Sequence, residues 1–182
     1  MGYSPIRISL FVALALAPGA TWAQVESGPR AGSKVEALKV VTATGDNAGK
    51  ELDYAAERNE KPTVFVFVQA DKWDRPLARF LKTLDRELIK SRKDTHVVAI
   101  WLTDDADKAK EYLLRAQESL KLEQTTFAVY PGEKGGPAGW GINTDAHLTA
   151  IVAQDRKVTA SLGFRSVNET DVPAVLKHLK PK

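Results

Sequence analysis

Thr63-Val64-Phe65-Val66-Phe67-Val68-Gln69-Ala70-Asp71-Lys72-Trp73-Asp74-Arg75-Pro76-Leu77 carries a strand, a junction and the start of a helix in one short stretch. Thr63 to Val68 is apolar and β-branched or aromatic, as a strand covered on both faces should be. Asp74 reads as a helix N-cap, and Pro76 fits the first turn, where a missing N–H costs nothing. Leu77, Phe80, Leu81, Leu84 and Leu88 then recur at i, i+3, i+4, i+7 and i+11. That spacing puts them on one helical face. A buried strand feeding an amphipathic helix is a building unit of α/β folds.

The same pattern extends in both directions. Upstream, Val35 to Thr44 reads as a strand, Gly45-Asp46-Asn47-Ala48-Gly49 as a turn and Lys50 to Tyr54 as a short returning strand. They form a hairpin-like addition ahead of the main fold. Downstream, His96 to Leu102 is a second buried strand. Thr103-Asp104-Asp105 caps a helix whose apolar positions include Ala109, Tyr112, Leu113, Ala116 and Leu120. Thr125 to Tyr130 is a strand ended by Pro131-Gly132, and Glu133 to Gly139 is a loop. Leu148 to Ala153 and Val158 to Phe164 read as a terminal hairpin. A last helix starts near Pro173, capped by Thr170 or Asp171, with Val172, Val175, Leu176 and Leu179 on one face. Strand–helix alternation followed by a hairpin and a helix predicts an α/β sandwich with a mixed sheet.

The N-terminus has a different character. Arg7, the apolar run Ile8 to Ala17, the break Pro18-Gly19 and the small-residue site before Gln24 read as an export signal over residues 1–23, cleaved near Ala23. The apolar run is about half of what a bilayer span requires. Residues 24–33, with Gly28, Pro29 and Gly32, read as a flexible lead-in. Residues 34–180 make up one domain of ordinary size. The formal net charge is +3, and Lys and Arg alternate with Asp and Glu along the chain. That describes a mixed solvated surface and argues against a nucleic-acid partner. The chain has no cysteine. Thiolate chemistry and the strongest zinc, copper(I) and iron–sulfur ligands are therefore absent.

Several local patterns resemble the thioredoxin-like superfamily, in the redoxin subgroup related to peroxiredoxins and periplasmic thioredoxins. Lys61-Pro62 before Val64 to Phe67 resembles that family's strand entry. Trp73 and Pro76 resemble the flanks of its W-C-x-P-C motif. Trp140-Gly141-Ile142 resembles the Y-G-V ahead of its cis-proline. Ala150-Ile151-Val152 with Asp155-Arg156-Lys157-Val158 resembles F-L-I-D-x-D-G-K-I, with Arg156 in place of glycine. The resemblance covers about Gly32 to Leu179 and implies a thioredoxin-like three-layer α/β/α sandwich with an N-terminal hairpin extension. The departures fall on the redox positions. Aligned on Trp73, the cysteine sites hold Asp74 and Leu77; counted without a gap from Phe67, they hold Lys72 and Arg75. The cis-proline position falls on Ala146 or His147, where a trans bond is expected because a non-proline cis bond costs about 3–4 kcal/mol. Disulfide exchange and peroxidase activity both need a reactive cysteine, so neither transfers.

What remains is the former active-site edge, residues 71–76 and 141–147. The candidate binding residues there are Trp73, Asp74, Arg75, Pro76, Trp140, Asp145 and His147. Trp73 and Trp140 are the candidates for a half-exposed aromatic pair, and Trp101 reads as core. For Asp74 the N-cap reading outweighs a ligand contact. For Asp145 and His147, loop self-bonding outweighs ligand or metal binding. Asp104, Asp105 and Asp107 read as capping groups. Asn168-Glu169-Thr170 is a glycosylation sequon. These residues predict an exported, redox-inactive binding module for a protein or peptide, with no cofactor. A non-thiol enzyme or metal-binding protein using Asp74, Asp145 and His147 is the alternative, and a structural envelope component is a further one.

Overall fold

A computed structural model describes residues 24–179. The expected export signal at 1–23 and the last residue of the expected 34–180 domain lie outside the described residues. The elements run β1 (Gln24–Val25), β2 (Lys39–Thr42), β3 (Glu51–Asp53), α1 (Tyr54–Arg58), β4 (Thr63–Gln69), α2 (Arg75–Ser91), β5 (His96–Leu102), α3 (Ala106–Leu120), β6 (Thr125–Tyr130), β7 (Leu148–Gln154), β8 (Lys157–Phe164) and α4 (Val172–Leu176). The eight strands form one mixed sheet in the order β1-β8-β7-β4-β5-β6-β2-β3. β4 is central, parallel to β5 and antiparallel to β7, and β5 is parallel to β6.

Alternation along β4 divides the core. Val64, Val66 and Val68 face a layer built from α2, α3 and α4, together with Phe80, Leu84, Leu113 and Val175. Phe65 and Phe67 face the other way, toward Leu38, Tyr54, Trp140 and Ile142. The arrangement is α/β in three layers around a mixed sheet, as the sequence predicts. The second outer layer is mostly irregular chain and turns, with the short α1 as its helical part. All five apolar positions of the α2 stripe are buried. Asp85 lies on the same buried side. Its carboxylate accepts from the N–H of Glu123 and Gln124 and from Thr125 Oγ1 (3.1, 2.8 and 2.7 Å), tying α2 to the entry of β6.

Two boundaries differ from the sequence reading. The expected flexible lead-in, 24–33, is docked: β1 pairs antiparallel with β8, Gly28 N–H donates to Gly141 O, and Gly32 N–H donates to Val158 O. Ser161 Oγ donates to Pro29 O at 2.6 Å. Gly163 makes this possible, because any side chain there would collide with the Val25 carbonyl. The returning strand stops at Asp53, whose Oδ1 accepts from Ala55 N and Ala56 N and so starts α1 instead. Asp171 is the N-cap residue of α4, one of the two expected, and its carboxylate accepts the Asn168 N–H in a reciprocal capping box on the 3₁₀ turn Glu169–Asp171 that precedes the helix. No helix among the described residues is long and apolar enough to cross a membrane.

Candidate functional site

β4 ends at the buried Gln69, whose side-chain amide donates to Lys134 O at 2.9 Å and whose N–H donates to His147 O at 3.1 Å. A single 3₁₀ turn, Ala70–Lys72, carries the chain out to Trp73. Asp74 then caps α2, its Oδ1 accepting from Leu77 N at 2.9 Å. This tight turn sets the direction of Trp73. Its indole lies over Trp101 of β5 (centroids 5.2 Å apart) and edge-on to Phe127 of β6 (6.2 Å). Trp73 Nε1 donates to Tyr112 Oη of α3 at 2.9 Å, and the Tyr112 ring stacks on Trp101 at 5.4 Å. Trp101 is 6 % exposed, and its Nε1 is the one buried side-chain donor without an acceptor among the described residues.

Two clefts meet at the Trp73–Tyr112 contact. One, of about 470 Å³, runs between the start of α2 and α3, lined by Asp74, Arg75, Ala78, Arg115, Ala116 and Leu120 with the two aromatics. The other, of about 510 Å³, is lined by Ala70, Trp101, Thr103, Asp105, Lys108 and Ala109 with the same two.

The seven candidate residues do not converge. Trp73, Asp74, Arg75 and Pro76 stay together at the head of α2. Trp140 is 1 % exposed on the opposite face of the sheet, packed against Phe65 and Phe67 at 5.1 Å each, with its Nε1 donating to Ala37 O. The expected half-exposed pair of Trp73 and Trp140 is therefore corrected: Ile142 and Trp140 are drawn into the second core. Asp145 is exposed and pairs with Arg165 at 3.4 Å, and its N–H is held by Asn143 Oδ1. His147 is half-buried and leads into β7 through N–H donation to Phe164 O. The 145–147 loop does lie beside the end of β4, as predicted. The ring of Trp73 turns the other way, toward β5 and α3, and neither cleft includes Asp145 or His147. Among the described residues no three His, Asp or Glu side chains are grouped to hold a metal.

Of the acidic residues Asp104, Asp105 and Asp107, Asp105 is the cap of α3. Asp105 Oδ1 accepts from Lys108 N at 3.1 Å, and Asp107 pairs with Lys110 at 2.7 Å. At the opposite end of β5, His96 Nε2 shares a hydrogen bond with Thr126 Oγ1 at 2.9 Å. Burial, and then the nearby Arg58 guanidinium, push its pKa down to about 4 against an opposing pull from Asp85.

No family model and no curated protein matches this chain. Solved structures do. A DsbF homologue from Corynebacterium diphtheriae is 17% identical with a TM-score of 0.60, covering 90% of this chain and 96% of that one. A thiol peroxidase from Chromobacterium violaceum is 16% identical with a TM-score of 0.62, covering 86% and 89%. A peroxiredoxin-like protein from Aquifex aeolicus is 16% identical with a TM-score of 0.54, covering 86% and 91%.

The fold is thioredoxin-like.

At this identity the likeness carries the architecture alone. Both registers of the thioredoxin-like redox motif now have physical descriptions. Asp74 is a cap and Leu77 is 1 % exposed core; Lys72 and Arg75 are exposed. Ala146, at the proline position, is 1 % exposed, and no peptide bond among the described residues is cis. The positions that the sequence resemblance pairs with thiols therefore hold a cap and a core leucine in one register and two exposed cations in the other. Sequence reasoning missed Tyr112 and Arg115. Tyr112 fits the apolar stripe of α3 by spacing, yet it is 41 % exposed and works through its hydroxyl. Its polar tip was the available signal.

Proposed function

We propose that the protein is an exported, redox-inactive thioredoxin-like module that holds a polypeptide segment against Trp73. The observation that carries this reading is the aromatic cluster at the end of β4, with the unsatisfied Nε1 of Trp101 beneath Trp73 and Tyr112. Buried donors are almost always paired, and one left unpaired costs about 1–3 kcal/mol. A main-chain carbonyl of a bound segment would satisfy it once Trp73 swings off Tyr112. Aromatic faces flanking that donor offer apolar area at low side-chain entropy cost. The tryptophan, in place of a thiolate, is then the working group of the edge. Export rests on the sequence pattern of residues 1–23.

The test uses the mature chain and a permanently unfolded polypeptide, reduced and alkylated lactalbumin. Capture should quench or shift tryptophan emission, and Trp73→Ala should weaken it at least about tenfold. No change on Trp73→Ala would remove the site. In parallel, the protein should neither reduce insulin disulfides nor consume peroxide with thiol donors, and turnover above background would contradict the redox-inactive reading.

The metal-binding or non-thiol enzyme reading has less support. Asp74 is occupied by the Leu77 N–H, Asp145 by Arg165, and His147 lines neither cleft.

A further inference from the structure

We propose that the groove between α2 and α3 takes an acidic, apolar segment of a partner polypeptide, with Arg75 and Arg115 engaging its carboxylates. This deepens, and rests on, the binding reading above.

The floor of the groove is apolar. Ala78 comes from α2, and Ala116 and Leu120 come from α3, each half-buried. Along α3, Tyr112, Arg115, Ala116, Ser119 and Leu120 fall at i, i+3, i+4, i+7 and i+8, a single stripe. α3 buries only Ala109 and Leu113, so that stripe is left to line the groove. Aliphatic side chains of a partner would cover it and take its apolar area out of water.

The rim supplies the charge. Arg75 and Arg115 are exposed and make no ion pair or hydrogen bond among the described residues. On the same α2, Arg79 pairs with Glu169 at 3.0 Å and Arg86 with Glu87 at 3.4 Å. On α3, Glu111 and Glu118 sit at i−4 and i+3 of Arg115, within helical reach, and neither pairs with it. Arg115 lines the groove, whereas Glu111 and Glu118 do not. The one acidic side chain of the groove, Asp74, already accepts the Leu77 N–H. Two unpaired guanidiniums beside an apolar floor complement carboxylates spaced along an apolar chain, and guanidinium engages carboxylate in two-point fashion.

The probe is an end-blocked octapeptide of alternating leucine and glutamate, compared with its glutamine and lysine counterparts, followed by fluorescence polarisation against the mature protein. At low salt the glutamate peptide should bind about tenfold tighter than the glutamine peptide, and the lysine peptide weakest. The preference should shrink as salt is raised toward 1 M, where the Debye length is about 3 Å. The double variant Arg75→Glu/Arg115→Glu should invert the order, with the lysine peptide tightest. Both positions are exposed, and a glutamate at the start of α2 suits the helix dipole, so folding should survive. Equal binding of the glutamate and glutamine peptides, or an order unchanged in the double variant, overturns the acidic preference. The binding reading survives that result if Trp73→Ala still weakens both peptides. If no peptide gives a Trp73-sensitive signal, both readings fall. A dimer in sedimentation that Arg115→Glu dissociates would assign the groove to a second copy and contradict the proposal.

Discussion

Trp73 and Trp140 are the two tryptophans of the candidate edge, and the sheet separates them. Trp140 is sealed beneath Phe65 and Phe67, its N–H given to the carbonyl of Ala37. Trp73 is half-buried, and its N–H goes to an exposed tyrosine hydroxyl on a neighbouring helix. One tryptophan is held by three parts of the core; the other spans two clefts and rests on a side chain that water can reach. The same residue type thus serves packing on one face and access on the other. The difference lies in where the N–H finds its acceptor.

That contrast predicts opposite responses to truncation. Trp140→Ala removes a fully buried aromatic and should cost about 3–5 kcal/mol, lowering the thermal midpoint by roughly 10 °C or more for a chain of this size. Peptide capture measured well below that midpoint should hardly change. Trp73→Ala should cost less, about 1–2 kcal/mol, since its ring is half-exposed, and should weaken capture at least about tenfold. If the two variants cost the same in calorimetry, Trp73 is core and the distinction collapses.

The far end of the sheet offers a prediction of comparable size. His96 ionises at 6.5 when unperturbed and at about 4 in the fold. Between those values the unfolded chain binds a proton that the folded chain refuses, so stability rises with pH across the window. The contribution is complete above about pH 6.5 and lost by about pH 4, and is on the order of 3 kcal/mol. Arg58 and Asp85 act on His96 in opposite directions, the first lowering and the second raising its pKa. His96→Gln should flatten this part of the stability–pH curve while leaving peptide capture at the Trp73 end unchanged. A wild-type curve that is already flat from pH 6.5 to 4.5 would contradict the burial account.

The smallest expected effect is the sharpest probe of the contrast. Tyr112→Phe keeps the ring on Trp101 and removes the acceptor for Trp73 Nε1. An exposed hydrogen bond of this kind contributes about 0.5–1 kcal/mol. Stability should fall by no more than that, while Trp73 gains mobility detectable as lower fluorescence anisotropy.

The central pattern was legible because its physics is local. Thr63 to Val68 shows a continuously apolar strand, and Leu77 to Leu88 repeats at helical spacing, so β4 and α2 followed from the residues alone. Other parts depended on partners distant in sequence. β1 hides within a Gly- and Pro-containing segment, because its pairing depends on the bare backbone of Gly163 across the sheet. α1 was concealed by a strand-like run, because Asp53 turns the chain there by accepting Ala55 and Ala56 N–H. The candidate edge was half legible. Trp73 to Pro76 sit where the strand–helix junction places them, whereas Trp140 reads as an exposed motif flank until Phe65 and Phe67 are seen to enclose it. Tyr112 and Arg115 come from another helix, and no spacing in the sequence joins them to Trp73.

The most direct measurement is a ¹H–¹⁵N spectrum of the indole N–H signals of residues 24–182 during titration with a mixture of extended peptides. Residues 24–182 contain Trp73, Trp101 and Trp140 as their only tryptophans. The account predicts that the Trp73 and Trp101 signals move on binding, Trp101 downfield as its Nε1 gains an acceptor, while Trp140 stays in place. Movement of Trp140 with Trp73 and Trp101 fixed would place binding on the other face of the sheet and contradict the account.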